Sequence, residues 1–486
     1  MSLEKLKEIY SAARQSQVFT FYDSLDEPSQ KSLLSHLATI DPARVSRIAD
    51  TVLSPAPEAG PSEIAPLPDA ATASVLTAPA SQIEEWEAQG ISLIAQNSVA
   101  VVLLAGGQGT RLGSSAPKGC FDIDLPSHKS LFELQAERIL SLQKLVGNRT
   151  GKTEVVIPWY IMTSGPTRAA TETFFNTHDY FGLNPANVMF FEQGVLPCID
   201  NSGKILLEGK DKAAVAPDGN GGIYRALVQE GVLLDFAKRG IHHVHAYCVD
   251  NCLVRMADPV FLGFASSRNV LVATKSVPKR SAKENVGLIV AKGGHPAVIE
   301  YSEISEEMAN RTVVDSESGK TELAFRTANI VNHYYSVEYL NSIATWPDNY
   351  LPYHIARKKI PCVDLETGEF ISPSKPNGIK MEQFIFDCFP QLEIAQFANL
   401  EVRREDEFSP LKNKVGTVGE DDANTSRADL LKQGKRWVVA AGATVSDSIV
   451  GVEVPPLISY VSGFFLAGWI LFSAVKLKLE LTVNPT

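Results

Sequence analysis

The sequence is poor in the features that mark several large classes of protein. Its six cysteines (Cys120, Cys198, Cys248, Cys252, Cys362 and Cys388) are scattered, and none forms a Cys-x-x-Cys pair. That pattern gives neither a zinc knuckle nor a disulfide framework. Positive charge is also scarce. The 45 Lys and Arg stand against 56 Asp and Glu, a formal net charge of −11. This excess argues against a nucleic-acid-binding surface but leaves room for a local cationic pocket. The first residues, MSLEKLKEIYSAARQ, are amphipathic and mixed in charge, without the apolar run of a secretory signal. With reduced thiols, a cytoplasmic location is expected.

What is present fits a globular chain. Its 486 residues predict two to four domains with ample core. Hydrophobic residues make up 44% and charged residues 21%, ordinary values for a water-exposed fold. Residues 1 to about 50 read as helices, with Leu3, Leu6, Ile9 and Tyr10 and then Leu33, Leu34 and Leu37 at helical spacing. Residues 54–80 hold six prolines and no basic residue, the composition of a linker or surface strap. Ser81 and Glu84 then have the spacing of a capping box, and Gly90 is expected to stop that helix.

From Val99 the pattern becomes strand, loop, helix. Val99–Leu104 is a short, wholly apolar run, as expected of a strand buried on both faces of a parallel sheet. Further strands are expected at 155–162, 188–191 and 244–249, and helices at 131–146, 167–177 and 222–238. This alternation predicts a doubly wound α/β fold, in which ligands sit beyond the carboxyl ends of the strands. Three polar groups fall there: Gly106 to Arg111, Gln193, and Asp250. After about residue 396 the chain reads as short β-rich pieces, such as WVVAAGATVSDSIVGVEV, and a small separate β domain is expected.

The loop after Val99–Leu104 carries most of the chemistry. Gly106, Gly107 and Gly109 let bare backbone N–H groups approach a ligand, and the cations Arg111 and Lys118 follow. A buried strand, a glycine loop and two cations make a polyphosphate site. The loop is not a P-loop, and the spacing Gly107, Gly109, Gly113 is not that of the dinucleotide fingerprint. Pro217-Asp218-Gly219-Asn220-Gly221-Gly222 is either a plain glycine turn or a loop whose backbone meets a flat ring. Asp250 ends a strand and either caps the next turn or holds Mg²⁺, which favours one or two carboxylates plus substrate phosphates. His242, His243 and His245 lack an acidic or thiol partner at metal-ligand spacing and read as a strand-edge cluster. Phe384 and Phe386 are two apart, so on a strand they would face one way.

The string Leu-Ala-Gly-Gly-Gln-Gly-Thr-Arg-Leu-Gly at 104–113, with Pro-Lys-Gly at 117–119, resembles the signature of the eukaryotic UDP-N-acetylglucosamine pyrophosphorylases. The resemblance runs from the N-terminal helices to about Tyr460. It implies a Rossmann-like nucleotidyltransferase domain at 99–395, after an N-terminal helical segment with its strap (1–98) and before the β domain (396–486). It implies a uridylyl transfer from UTP to N-acetylglucosamine 1-phosphate, with Mg²⁺ or Mn²⁺ as cofactor. By matching, Gly106, Gly107, Arg111 and Lys118 take the phosphates, Gln193 and Gly219 the uracil, and Asn220 the sugar. Gly287, Glu300 and Asn329 match residues that bond the amino sugar. Lys380, Phe384 and Phe386 match a string near the N-acetyl group, Lys412 a lysine that reaches the phosphates, and Asp250 the metal ligand. Alternatives are glucose or N-acetylgalactosamine 1-phosphate as substrate, or a catalytically silent UDP-sugar-binding protein. No nucleic-acid partner is implied.

The end of the chain departs from that pattern. Leu457–Val475 is free of charge over 19 residues and is followed by Lys476 and Lys478. That length passes for a membrane helix. Its first six residues belong to the resembled domain, however, and the remaining 13 are too few to span, so no functional membrane span is expected. Val461-Ser462 is encodable by a splice-donor-like hexamer, and the segment 461–486 is expected to be translated intron.

Overall fold

A computed structural model describes residues 1–54, 63–314, 319–347, 349–417 and 420–460. The apolar tail at 461–486 and residues 55–62 of the strap lie outside the described residues. Contacts divide the chain into two discontinuous units, the described parts of Met1–Ser62, Gln193–Ala226 and Ser342–Cys388, and of Glu63–Glu192, Leu227–Asn341 and Phe389–Thr486. The division therefore differs from boundaries at 98 and 395. The middle of the chain leaves the larger unit twice, and long-range pairing of that kind leaves no mark in local composition.

The larger unit is built on one sheet of eleven strands. In chain order these are β1 (Ile64–Ala65), β2 (Thr72–Ser74), β3 (Val99–Leu104), β4 (Trp159–Thr163), β5 (Val188–Glu192), β6 (His243–Cys248), β7 (Val272–Pro278), β8 (Leu288–Lys292), β9 (His295–Ile299), β10 (Thr327–Ser336) and β11 (Phe397–Glu401). The spatial order is β2-β11-β7-β10-β6-β3-β4-β5, with β8 joining β10 to β9 and β1. β6, β3, β4 and β5 are parallel. All six residues of β3 are buried, as its unbroken apolar run requires. The α/β expectation therefore holds. The described end of the strap also joins this sheet, β1 pairing with β8 and β2 with β11.

Three expectations are corrected. The helix Ala80–Ala95 runs straight through Gly90. A methyl group at Gly90 would lie 2.0 Å from the Pro259 carbonyl oxygen, and one at Gly263 would lie 1.7 Å from that of Trp86. Gly90 is thus a close-approach residue against the helix Pro259–Ser267 and not a stop. The expected helix 222–238 is two, Ile223–Gln229 and Val232–Arg239, with Gly231 left-handed between them. The small C-terminal β domain is not found among the described residues. β11 belongs to the main sheet, and Ala423–Ala440 is an 18-residue helix capped by Asp422 and Thr425. The string beginning Trp437-Val438-Val439 is its last turn, so its apolar residues follow a helical period.

The smaller unit has its own core. The N-terminal helices Leu3–Ala12, Glu27–Leu37 and Pro42–Leu53 bury Leu6, Tyr10, Leu33, Leu37, Val45 and Ile48. These pack with Leu196, Ile199, Ile205, Leu207, Ile379 and Met381. A three-stranded antiparallel sheet, His354–Lys358, Gly378–Glu382 and Ile199–Asp200, completes it. Among the described residues no helix is long and apolar enough to cross a membrane.

Candidate active site

β3 and β6 are parallel neighbours in register from Val99–His243 to Leu104–Cys248, so the chain leaves both at the same edge of the sheet. The loop after β3 is closed on itself. Lys118 N donates to Gly107 O (3.2 Å) and Gly109 N to Ala116 O (3.0 Å), while Ser164 Oγ, beyond the end of β4, donates to Gly106 O (2.7 Å). With these bonds in place Gly106 is half-buried and Gly107 exposed, and a methyl group at Gly107 would meet nothing within 4 Å. Arg111 is exposed on this loop.

Lys118 turns back to the edge. Its Nζ donates to Leu411 O (3.2 Å) and lies 3.7 Å from Asp250 Oδ2, both side chains being partly buried. Asp250 is held by its own backbone, Leu411 N donating to Asp250 O (2.8 Å). Lys412, next along, places its Nζ 4.0 Å from Asp421 Oδ2. The structure thus brings Lys118, Asp250 and the backbone of Leu411–Lys412 together. A single half-exposed carboxylate with a cation beside it fits a hard divalent ion that takes its remaining ligands from phosphate and water. Asp122, Asp124 and His128 also lie within 4.8 Å of one another, at the surface. His245 has no lone pair to give a metal. Its Nδ1 accepts from Ala257 N (2.8 Å), its Nε2 faces Asn332 Oδ1, and burial pushes its pKa down to about 4.

Gly287, Glu300 and Asn329 also come together. Asn329 N donates to Gly287 O (2.9 Å), and a methyl group at Gly287 would sit 3.2 Å from Glu300 Oε1. Asn329 is nearly buried, and its Oδ1 accepts from Val331 N (3.0 Å).

In the smaller unit the 218–222 loop is tied to residues 383–385. Gln383 N donates to Asp218 O and Gly221 N to Gln383 O (both 2.8 Å), and Ile385 N donates to Asn220 Oδ1 (2.9 Å). Gly219 has φ +87°, and a methyl group there would lie 2.3 Å from Gln383 O, so both conformation and space demand glycine. Asn220 thus uses its amide oxygen to tie the loop to the 383–385 segment. Gln193 follows β5 directly and is half-buried. Lys380 lies on the strand Gly378–Glu382, but Phe384 and Phe386 lie in the turn beyond it. Asp387 Oδ2 accepts from Phe384 N (2.6 Å) and bends the chain there. The two rings still meet, with centroids 5.2 Å apart, and His354 stacks on Phe384 at 4.4 Å.

Asp218 was not marked by the sequence beyond its place in the loop. Its carboxyl is buried against Gly194 and Gly222, with Oδ1 lacking a partner. Burial pushes its pKa from 3.8 up to about 6, against the pull of Arg44 and Arg225. A raised carboxyl binds its proton more tightly when folded, so the contribution of Asp218 to stability is greatest below about pH 4, falls as pH rises toward 6, and stays lower above. Asp218→Asn is therefore expected to stabilise the protein by about 3 kcal/mol at pH 8 and by less than about 1 kcal/mol at pH 4. Urea denaturation at the two pH values checks this, and an equal effect at both would contradict it.

A run of parallel strands with a closed glycine loop, two lysines and a carboxylate at the carboxyl edge of β3 and β6 defines an enzyme-like site for a nucleotide or sugar polyphosphate. The relatives of the chain make this specific. Residues 59–464 match the model of the UTP–glucose-1-phosphate uridylyltransferase family, and the chain belongs to that family. It is 47% identical over 465 residues to the UDP-N-acetylglucosamine pyrophosphorylase of Saccharomyces cerevisiae, covering 93% of this chain and 94% of that one. It is 42% identical over 482 residues to UDP-N-acetylhexosamine pyrophosphorylase-like protein 1 of Xenopus tropicalis, covering 94% and 92%. Its fold matches the crystal structure of the uridine diphosphate N-acetylglucosamine pyrophosphorylase of Trypanosoma brucei in complex with an inhibitor. The TM-score is 0.79 at 29% identity, over 95% of this chain and 94% of the other.

Proposed function

We propose that the protein joins UTP and N-acetylglucosamine 1-phosphate to give UDP-N-acetylglucosamine and pyrophosphate. The observation that carries this reading is the pairing of Lys118 with Asp250 at 3.7 Å, beside the glycine loop, at the edge where β3 and β6 end. The identity of the sugar rests on the names of the relatives and on the grouping of Gly287, Glu300 and Asn329. A phosphate oxygen of the sugar attacks the α-phosphorus of UTP in line, and pyrophosphate leaves. No protein nucleophile is needed. The chain orients two anions and neutralises the charge that builds up between them. Lys118 and Arg111 hold the α-phosphate and the leaving pyrophosphate, the bare amides of Gly106 and Gly107 face the phosphates, and Lys412 steadies the sugar phosphate. Gln193 and Gly219 take the uracil, Asn220 the sugar, and Lys380, Phe384 and Phe386 the N-acetyl side. Asp250 holds Mg²⁺ or Mn²⁺, and when bound the ion supplies further charge neutralisation at the phosphate oxygens. The protein acts in the cytoplasm.

A second reading, in which N-acetylgalactosamine 1-phosphate is also used, is favoured by the hexosamine name of the relative at 42% identity. Measuring kcat/KM with the 1-phosphates of N-acetylglucosamine, N-acetylgalactosamine and glucose tests both. The first reading expects N-acetylglucosamine to lead, and a preference for glucose would overturn it. Asp250→Asn is expected to raise the Mg²⁺ concentration needed for half-maximal rate, because a neutral amide is a poorer ligand for a hard cation. An unchanged Mg²⁺ titration would leave Asp250 only a turn-capping role.

A further inference from the structure

Asn251 follows Asp250 and is 3% exposed. Its Nδ2 donates to Glu407 O (2.7 Å), and its Oδ1 accepts from Ser409 N (3.0 Å) and from Leu253 N (3.2 Å). One amide therefore spends its oxygen twice and its nitrogen once, on two segments that are 156 and 158 residues away in one case and two away in the other. The backbones beside it run antiparallel. Cys252 N donates to Ser409 O (3.0 Å), Leu411 N to Asp250 O (2.8 Å), and Asn251 bridges Pro410. Lys118 reaches the same seam, donating to Leu411 O.

The seam rests on buried charge. Glu407 and Asp258 both contact Lys275 Nζ, and Lys275 is fully buried on β7. Arg138, also buried, donates to Cys252 O (2.9 Å) and Val254 O (3.2 Å) from below the turn. The Asp250 turn and the 407–412 segment are thus anchored to one another and to the sheet. Lys118 and Asp250, which have work to do at the phosphates, are bonded to this seam at Leu411, and Lys412 is the next residue along, its N–H donating to Asp421 O (2.7 Å). Neither Ser409 N nor Glu407 O has its seam partner in the backbone ladder; the Asn251 side chain supplies both.

We propose that Asn251 is a positioning residue for uridylyl transfer, which holds the Asp250 carboxylate and the Lys412 arm in a fixed frame with Lys118. The proposal rests on the functional reading above. An outer residue that aims a ligand or a cation touches neither substrate, yet its loss typically costs about 10–100-fold in metal affinity or rate. Asn251→Ala removes all three bonds. Asn251→Asp keeps the acceptor for Ser409 N and Leu253 N and turns the donor to Glu407 O into a repulsion.

The test uses the full chain, at a temperature where circular dichroism shows both variants folded. For Asn251→Ala we expect kcat to fall at least about tenfold and the half-saturating Mg²⁺ concentration to rise several-fold. Calorimetric binding of Mg²⁺·UTP, read without turnover, should weaken in parallel. Asn251→Asp should fall between Ala and wild type. A lower melting temperature with unchanged kcat, Mg²⁺ dependence and UTP binding would overturn the proposal and leave Asn251 a merely structural role. If Asn251→Ala does not fold, Asn251→Asp decides alone, and wild-type kcat and Mg²⁺ dependence in that variant would overturn it. Absence of UDP-sugar formation by the wild type would instead overturn the functional reading, so the two failures are distinct.

Discussion

Lys118→Ala is expected to lower kcat about 10²–10³-fold, the usual cost of removing one preorganised charge from the place where transition-state charge develops. The reason lies in how little freedom Lys118 has. Its backbone N–H is tied to Gly107 O, and its Nζ to Leu411 O, with Asp250 Oδ2 at 3.7 Å. The ammonium is thus in place before substrate arrives, and little reorganisation is left for the reacting complex. The KM for the sugar phosphate should change far less, because the lysine acts on the α-phosphate and the leaving group. Arg111→Ala should act in the same direction. Arg111 is exposed, so it depends on substrate to order it, and its loss should weigh more on UTP binding. Steady-state kinetics with both substrates varied checks this. Near-normal turnover in both variants would remove the loop from the mechanism.

The largest effect on stability is expected from Lys275→Met. Lys275 is fully buried between Asp258 and Glu407, and Arg255 adds a contact to Glu407 at 3.6 Å. Burial pushes the Asp258 carboxyl upward, but Lys275 and Arg255 outweigh it and hold it below the usual range. Taking away the central cation leaves two carboxylates in a dry interior. Breaking a buried ion pair in this way typically costs about 3–5 kcal/mol, a large share of the roughly 5–15 kcal/mol that holds a domain together. Urea denaturation of the variant measures it. A loss below about 1 kcal/mol would mean that water reaches the triad. Replacing Lys275, Asp258, Glu407 and Arg255 together by apolar residues of similar volume should cost much less than the single change, because no charge of the cluster is then stranded.

The elements that the sequence made legible are those whose cause is local. Val99–Leu104 has no polar residue, so it had to be a strand covered on both faces, and it is. The glycine loop after it, Lys118 and Asp250 could be placed because parallel strands deliver their carboxyl ends to one edge. Gly287, Glu300 and Asn329 were legible only as a resemblance, and the structure brings them together through the Asn329–Gly287 backbone bond.

The elements that were not legible depend on partners far away in the chain. Gly90 reads as a helix stop until Pro259 is seen against it. Phe384 and Phe386 alternate like strand residues, but Asp387 captures the Phe384 amide and makes a turn. The C-terminal helix was hidden because its last turn, with Val438 and Val439, is apolar enough to pass for a strand. Asn251 has no signature of its own, since an asparagine after an aspartate reads as part of a turn. Lys275 did leave a signal, a lone charge inside the otherwise uncharged strand VATKSVP. Such a lysine must be paired when the strand is buried.

The central claim is that the protein catalyses transfer, and does not simply bind a UDP-sugar. The most direct measurement supplies UTP labelled in its β- and γ-phosphates and follows pyrophosphate and UDP-N-acetylglucosamine together. Release of labelled pyrophosphate only when N-acetylglucosamine 1-phosphate is present, in a one-to-one ratio with the nucleotide sugar, and its loss in Lys118→Ala, is the expected result. Tight binding of UDP-N-acetylglucosamine with no pyrophosphate released at any sugar phosphate concentration would contradict it.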